Sequence, residues 1–358
     1  MRHFVFLIAI FVSLIPDLRA AEPFFKPNDV VALVGGEDMV VAAELGYLET
    51  LIQLALPDHH LKFRSLAREG DTVFEQRRDL NYPKLEDQLD KMGATVVICQ
   101  FGQMESLAAC DAVEKIQVIT EARRYEKWNA EIGSGKDARE EFDFEKADVA
   151  LKPKIATVTA GYEKFLTRMS NEGKRRLVVC EPYFMGGRHG PVMKNLYLHH
   201  RAIILHNEAL ETLANKTGAR FAKLPGNHFR PSGEHDLTSD GFRLSNDHQA
   251  LRAAGLADEL ALAKIKNFEF GKGFPNDSAI EKLRPLITAK NRLWYYYYRP
   301  QNWAFLAGDR TNQPSSRDHL DPSKRWFPEE LEKFVPLIDA KDAEIWALAK
   351  KLSAQGGK

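Results

Sequence analysis

"VVALVGGEDMVVAAELGYLETLIQ", residues 30–53, decides how this chain is read. Residues 30–34 form an apolar run without a charge, as expected of a strand buried on both faces. Gly35 and Gly36 give a sharp turn, and residues 41–56 then place apolar side chains at helical spacing. A strand, a glycine turn and a helix present the residue after the turn at the carboxyl end of the strand. Here that residue is Glu37, followed by Asp38.

The alternation continues along the chain. Apolar runs at 61–67, 95–99, 177–180 and 220–224 alternate with helical patterns at 84–92, 154–171 and 193–217. Further helices follow near 247–263 and 277–298. Continuous apolar strands between helices predict an α/β fold with a parallel sheet covered on both faces. The expected architecture is a doubly wound, flavodoxin-like sheet of five strands in the order second, first, third, fourth, fifth. Ligands of such sheets bind beyond the carboxyl ends of the strands, so the residues just after each apolar run carry the information.

Composition sets the frame. The chain has 358 residues, 44% of them hydrophobic, enough for one large domain with appendages. Lys+Arg and Asp+Glu both number 50, and this balance argues against a general binder of nucleic acid or anionic membranes. At the start, Arg2 and His3 precede an apolar run over 4–15, with Ala20 and Ala21 behind it. That is the pattern of a signal peptide over residues 1–20, and the run is short for a membrane span. Cleavage predicts export to a periplasmic or extracellular space without integral membrane association; an uncleaved run would instead anchor the chain. Cys99, Cys110 and Cys180 make no disulfide framework. Cys99 and Cys180 read as small buried thiols, with pairing on neighbouring strands as the alternative.

The strand ends read, in order, "GGED" (35–38), "REGDTV" (68–73), "CQFGQMES" (99–106) and "CEPYFMGG" (180–187). Further on lies "SDGFRLSNDHQALRAAGLADEL", residues 239–260. From Val30 to about Leu262 this series resembles the SGNH (GDSL-type) hydrolase superfamily. The resemblance implies an SGNH-hydrolase-like three-layer fold and hydrolysis of acyl esters, those of carbohydrates among them. In that family a serine attacks the ester carbonyl, a histidine takes its proton and an aspartate orients the histidine. The serine amide, a glycine amide and an asparagine side chain hold the oxyanion.

Carried onto this chain, the pattern puts Glu37 at the serine, Asp240 at the aspartate and Arg243 at the histidine. Gly70 keeps the oxyanion glycine, Met104 stands at the asparagine, and Gln103 offers an amide one residue away. Nucleophile and base are both replaced. A carboxylate and a guanidinium at these positions are expected to pair, and arginine does not deprotonate to serve as a general base. The site then reads as a plug or clamp, and the chain as a hydrolase that has lost its chemistry or as a non-catalytic glycan or ester binder.

Other chemistries stay open. Ser239, Ser245 and His248, with His228 and His235 in the preceding loop, offer a relocated nucleophile and base. Glu37, Asp38 and Asp240 gather carboxylates as a glycoside hydrolase would. No cofactor is implied, and no metal site: no His-x-x-x-His or Cys-x-x-Cys occurs, and His199, His200 and His206 do not pair at three or four residues.

The SGNH-like domain is expected over 26–265, with a charged insertion at 122–153 and a C-terminal extension over 266–358. In the extension, Trp294, the tyrosines 295–298 and Trp303 crowd into ten residues. Either the rings anchor the extension on the domain, or Trp294 and Trp303, with Asp38, bind a small molecule or glycan. Residues 328–352 carry apolar side chains at helical spacing and are expected to pack outside as one helix.

Overall fold

A computed structural model of the chain describes residues 23–76, 82–114, 144–184, 197–223, 238, 243–263 and 268–356. The expected signal peptide, most of the charged insertion, and His228, His235, Ser239 and Asp240 lie outside the described residues.

Five strands, β1 (Val30–Gly35), β2 (Lys62–Ser65), β3 (Val96–Gln100), β4 (Arg176–Cys180) and β5 (Arg220–Ala222), make one sheet. All neighbours are parallel and the order is β2-β1-β3-β4-β5, as the apolar runs predict. The strands alternate their side chains between two cores because successive residues of a strand point to opposite faces. Val31, Leu33, Val96, Ile98, Val178 and Cys180 face one side. There they meet α1 (Glu37–Leu45), α2 (Tyr47–Ala55) and, beyond β5, the helix carrying Leu256 and Leu260. Ala32, Val34, Val97, Cys99, Leu177 and Val179 face the other side. They pack on α3 (Leu85–Lys91) and, after α4 (Gln103–Glu114), on α5 (Phe144–Ser170) and α6 (Tyr197–Thr217). Cys99 and Cys180 therefore stand on opposite faces of the sheet, and both are free buried thiols. Burial pushes the Cys99 thiol up to about 12, so it is no nucleophile.

Two expected helices are each two. The first begins at Glu37 rather than Val41 and breaks at Gly46, whose φ of 72° lies in the left-handed region. A Cβ there would also press within 3.1 Å of Thr288, so both backbone and packing demand glycine. The pattern at 328–352 resolves into separate helices at Trp326–Glu332 and Phe334–Gly356. Pro336, which has no N–H to give a preceding turn, sits in the first turn of the second, where that loss costs nothing. The last ten residues of the expected insertion, 144–153, are the start of α5.

Following α7 (Asn246–Ala261), the extension forms α8 (Ala279–Tyr298), α9 (Trp303–Leu306), α10 (Trp326–Glu332) and α11 (Phe334–Gly356). Leu283 and Ile287 of α8 pack with Ile345, Ala349 and Leu352 of α11 in their own small core beside α2. The two helices also cover the outer edge of β2. Carbonyls of Leu61, Phe63 and Ser65 accept from Trp346 Nε1, Lys290 Nζ and Trp294 Nε1. An edge that would otherwise expose unpaired backbone is closed by side chains.

Candidate functional site

β1 ends at Gly35, where a Cβ would lie 2.4 Å from the Gln100 carbonyl and 2.8 Å from Met39 Cγ; only glycine lets the turn pass this close to β3. The Gly36 carbonyl then accepts from Met39 and Val40 and opens α1. Glu37 and Asp38 form the acidic first turn of that helix, where the N-terminal end of the helix dipole favours carboxylates.

The two acids point to different places. Glu37 Oε1 meets Arg243 Nε at 3.0 Å at the surface of the site, with 17% and 52% of the side chains exposed. Asp38 is buried: it accepts from Gln249 Nε2 at 2.6 Å and pairs with Arg252, which in turn reaches Gln100. Burial pulls the Arg252 guanidinium down to about 9, still cationic at neutral pH. Asp38, expected as a ligand contact, has its carboxylate committed to this internal network.

Glu37, Gly70, Gln103 and Met104 line one narrow cleft beyond the ends of β1 and β3, together with Gly102 and Tyr183. Its free space is about 20 Å³, room for roughly one water molecule. Gln103 is buried, and its Nε2 donates to nothing among the described residues, whereas Met104 is exposed. Arg243 reaches the cleft through Glu37. Thr238 and Leu244 pair as an antiparallel bridge.

Glu105, missed in the sequence reading, holds this cleft together. Its Oε1 accepts from Val73 N–H at 2.6 Å and its Oε2 from Gly102 N–H at 2.8 Å, tying the loop after β2 to the loop after β3. Burial raises its carboxyl above the usual range, and the two backbone donors oppose that rise. A carboxylate three residues after Gly102 at a helix start was the available signal.

Behind the cleft stand His199 and His206 of α6, both buried. A Cβ on Gly102 would lie 3.0 Å from His206 Nδ1. Burial pushes His199 down to about 3 and His206 to about 4, so both are neutral packing groups at pH 7. Ser245 Oγ and His248 Nδ1 lie 2.9 Å apart, but Ser245 is the N-cap of α7 and also accepts the His248 N–H. This pair is a helix cap and does not line the cleft. Trp303 opens α9 and lies outside the group of rings around Trp294. Among the described residues no group of three His, Cys, Asp or Glu side chains could hold a metal ion.

The parallel order β2-β1-β3-β4-β5, with the first, second and third glycine blocks meeting at one cleft, decides the architecture. The fold is a doubly wound α/β sheet, SGNH-hydrolase-like in its strand order. No protein-family model matches the sequence, and no curated protein does. Solved structures similar to this chain include a gut microbial diltiazem-metabolizing enzyme, at 10% identity and a TM-score of 0.49, covering 93% of this chain and 96% of that one. The aryl esterase of M. smegmatis shares 9% identity at a TM-score of 0.41, over 66% of this chain and 99% of its own. A carbohydrate acetylesterase from Sinorhizobium meliloti shares 11% at a TM-score of 0.39, over 66% and 99%. Among the described residues no helix is long and apolar enough to cross a membrane.

Chemically, the cleft offers the Glu37–Arg243 ion pair, whereas acyl transfer needs a nucleophile and a base. Backbone donors and the Gln103 amide could polarise a carbonyl, but among the described residues no serine, threonine or cysteine lines the cleft beside them.

Proposed function

We propose that this protein is an exported SGNH-hydrolase-like binder that holds an acyl ester or a glycan and does not hydrolyse it. The observation that carries the reading is the 3.0 Å contact of Glu37 with Arg243, at the positions that resemble the family's serine and histidine. A guanidinium paired with a carboxylate keeps its proton, so it cannot activate water or a hydroxyl. Asp240 is proposed as the third member of this polar plug. The glycoside-hydrolase alternative is weakened at Asp38, whose carboxylate is turned inward onto Gln249 and Arg252.

The test is an esterase assay on the purified chain with p-nitrophenyl acetate and with an acetylated xylan. The reading expects no release above buffer and no labelling by a serine-directed fluorophosphonate. Robust turnover that disappears in Ser245→Ala or His248→Ala would replace the binder with a relocated hydrolase.

A further inference from the structure

A second hollow, of about 300 Å³, opens between α1 and the last turns of α8. Its size falls at the lower end of small-molecule sites. It neighbours the cleft without sharing it. Val40 and Glu44 line it from the α1 turns next to Glu37, and Arg299, on its rim, pairs with Glu69, the residue before Gly70.

The floor is apolar, from Val40, Ala43 and Ala67. The rim carries Tyr295 and Tyr296, which stay 41% and 39% exposed. Guanidinium groups fix both rings: Arg299 stands 5.0 Å from the Tyr295 centroid and Arg292 5.8 Å from that of Tyr296. Arg292 also donates to the Tyr296 hydroxyl at 3.1 Å. Further polar groups in the lining are Ser65, Thr288, Glu44, Arg292 and Asn291; Asn291 Nδ2 donates to the Ala43 carbonyl at 2.8 Å and so leaves its Oδ1 to accept.

Each ligand class meets this lining differently. A wholly apolar body would strip water from Glu44 and Arg292 and return no hydrogen bond. An anion would gain Arg292 but face Glu44, since the Arg299 charge is already balanced by Glu69. A cation would gain Glu44 but face Arg292. A neutral ring with one apolar face and hydroxyls around its edge suits every group: its face lies on the tyrosines and aliphatic floor, its hydroxyls donate to Glu44 and Asn291 and accept from Arg292. We infer that this hollow binds an uncharged saccharide, about one or two pyranose rings in length. The inference names a ligand for the binder proposed above, yet it stands apart from the silent cleft, because a protein that cleaved esters would bind sugar here equally.

The experiment is a calorimetric titration of the full chain with cellobiose, maltose and N,N′-diacetylchitobiose, and with benzoate and benzamidine as flat charged probes. At least one disaccharide should bind with a Kd of about 1 mM or tighter. Tyr295→Ala and Arg292→Ala, both at exposed positions, should each weaken it by about tenfold or more, with melting curves that overlay the parent's. Lys216→Ala, on α6 and outside the hollow, should leave that affinity unchanged. The inference falls if no disaccharide binds, if benzoate or benzamidine binds more tightly than every disaccharide, or if both hollow variants keep the parent's affinity. The esterase result does not enter this comparison, so failure here and failure of the silent-cleft reading are distinguishable.

Discussion

Trp294 donates its indole N–H to the Ser65 carbonyl at 2.7 Å, and this one bond explains why a tryptophan stands in the middle of α8. Four residues earlier on the same helix face, Lys290 reaches the Phe63 carbonyl at 3.0 Å. Four helical residues rise about 6 Å and two strand residues about 6.6 Å, so an i, i+4 pair can meet alternate carbonyls of an edge strand. Lys290 Nζ also contacts both oxygens of Glu49 at 2.8 Å, and neighbouring Arg64 pairs with Asp342 of α11 at 2.5 Å. The extension is thus fastened to the SGNH-like domain by buried, fully partnered charges.

Lys290→Met should therefore cost about 3–5 kcal/mol, because it leaves the Glu49 carboxylate buried without its cation. Adding Glu49→Leu should recover most of that loss, since no charge is then stranded. Urea unfolding followed by circular dichroism measures both. A single variant as stable as the parent would show that the pair is solvated.

Glu105→Ala should cost about 2–4 kcal/mol, because the buried N–H groups of Val73 and Gly102 lose their acceptor together. Glu105→Gln keeps an acceptor for one of them and should cost less. Thermal melts rank the three proteins; equal melting temperatures for Ala and Gln would mean that only the charge matters.

Much of this architecture was legible in the residues, and its omissions have physical causes. The strands were legible as apolar runs, since strands buried on both faces are rich in Val, Ile and Leu, and their order followed from strand–helix alternation with glycines at the strand ends. The faces of Cys99 and Cys180 depend on register between strands, which a linear reading does not supply. Nothing in the linear sequence singled out Lys290, since its partner Glu49 lies 241 residues away. Glu37 and Arg243 were paired by family resemblance, not by spacing. Glu105 stands outside the family's catalytic positions, and its work is to hold two loops that only the fold brings together.

The buried histidines set an acid limit. His206 falls from an ordinary 6.5 to about 4 and His199 to about 3, both through burial. A depressed histidine leaves the unfolded chain to take the proton first, so its contribution is complete above pH 6.5 and is lost as pH falls toward the folded value. Each histidine removes about 1.4 kcal/mol per pH unit in that window, roughly 3 kcal/mol for His206 by pH 4. Glu105 runs the other way, its raised carboxyl favouring the fold at low pH. Stability should drop between pH 6.5 and 4.5, and His206→Met should make that drop shallower. A parent profile no steeper than the variant's would remove His206 from the account.

Restoring the lost groups probes the cleft most directly. In Glu37→Ser the new hydroxyl stands at the first turn of α1, beside the Gly70 and Gln103 donors. In Arg243→His the imidazole replaces a group whose Nε already sits 3.0 Å from residue 37. Either change alone supplies only half of a nucleophile–base pair and should give no measurable hydrolysis of p-nitrophenyl acetate. Both together should give slow turnover sensitive to a fluorophosphonate, since a serine and histidine act as a unit. If Asp240 orients the new imidazole, adding Asp240→Asn should lower that rate by orders of magnitude, toward the roughly 10⁴-fold loss known for a misassigned tautomer. A double variant that folds, with an unchanged melting curve, yet neither turns over nor labels would mean that the loss extends beyond two side chains to the backbone donors around Gly70 and Gly102.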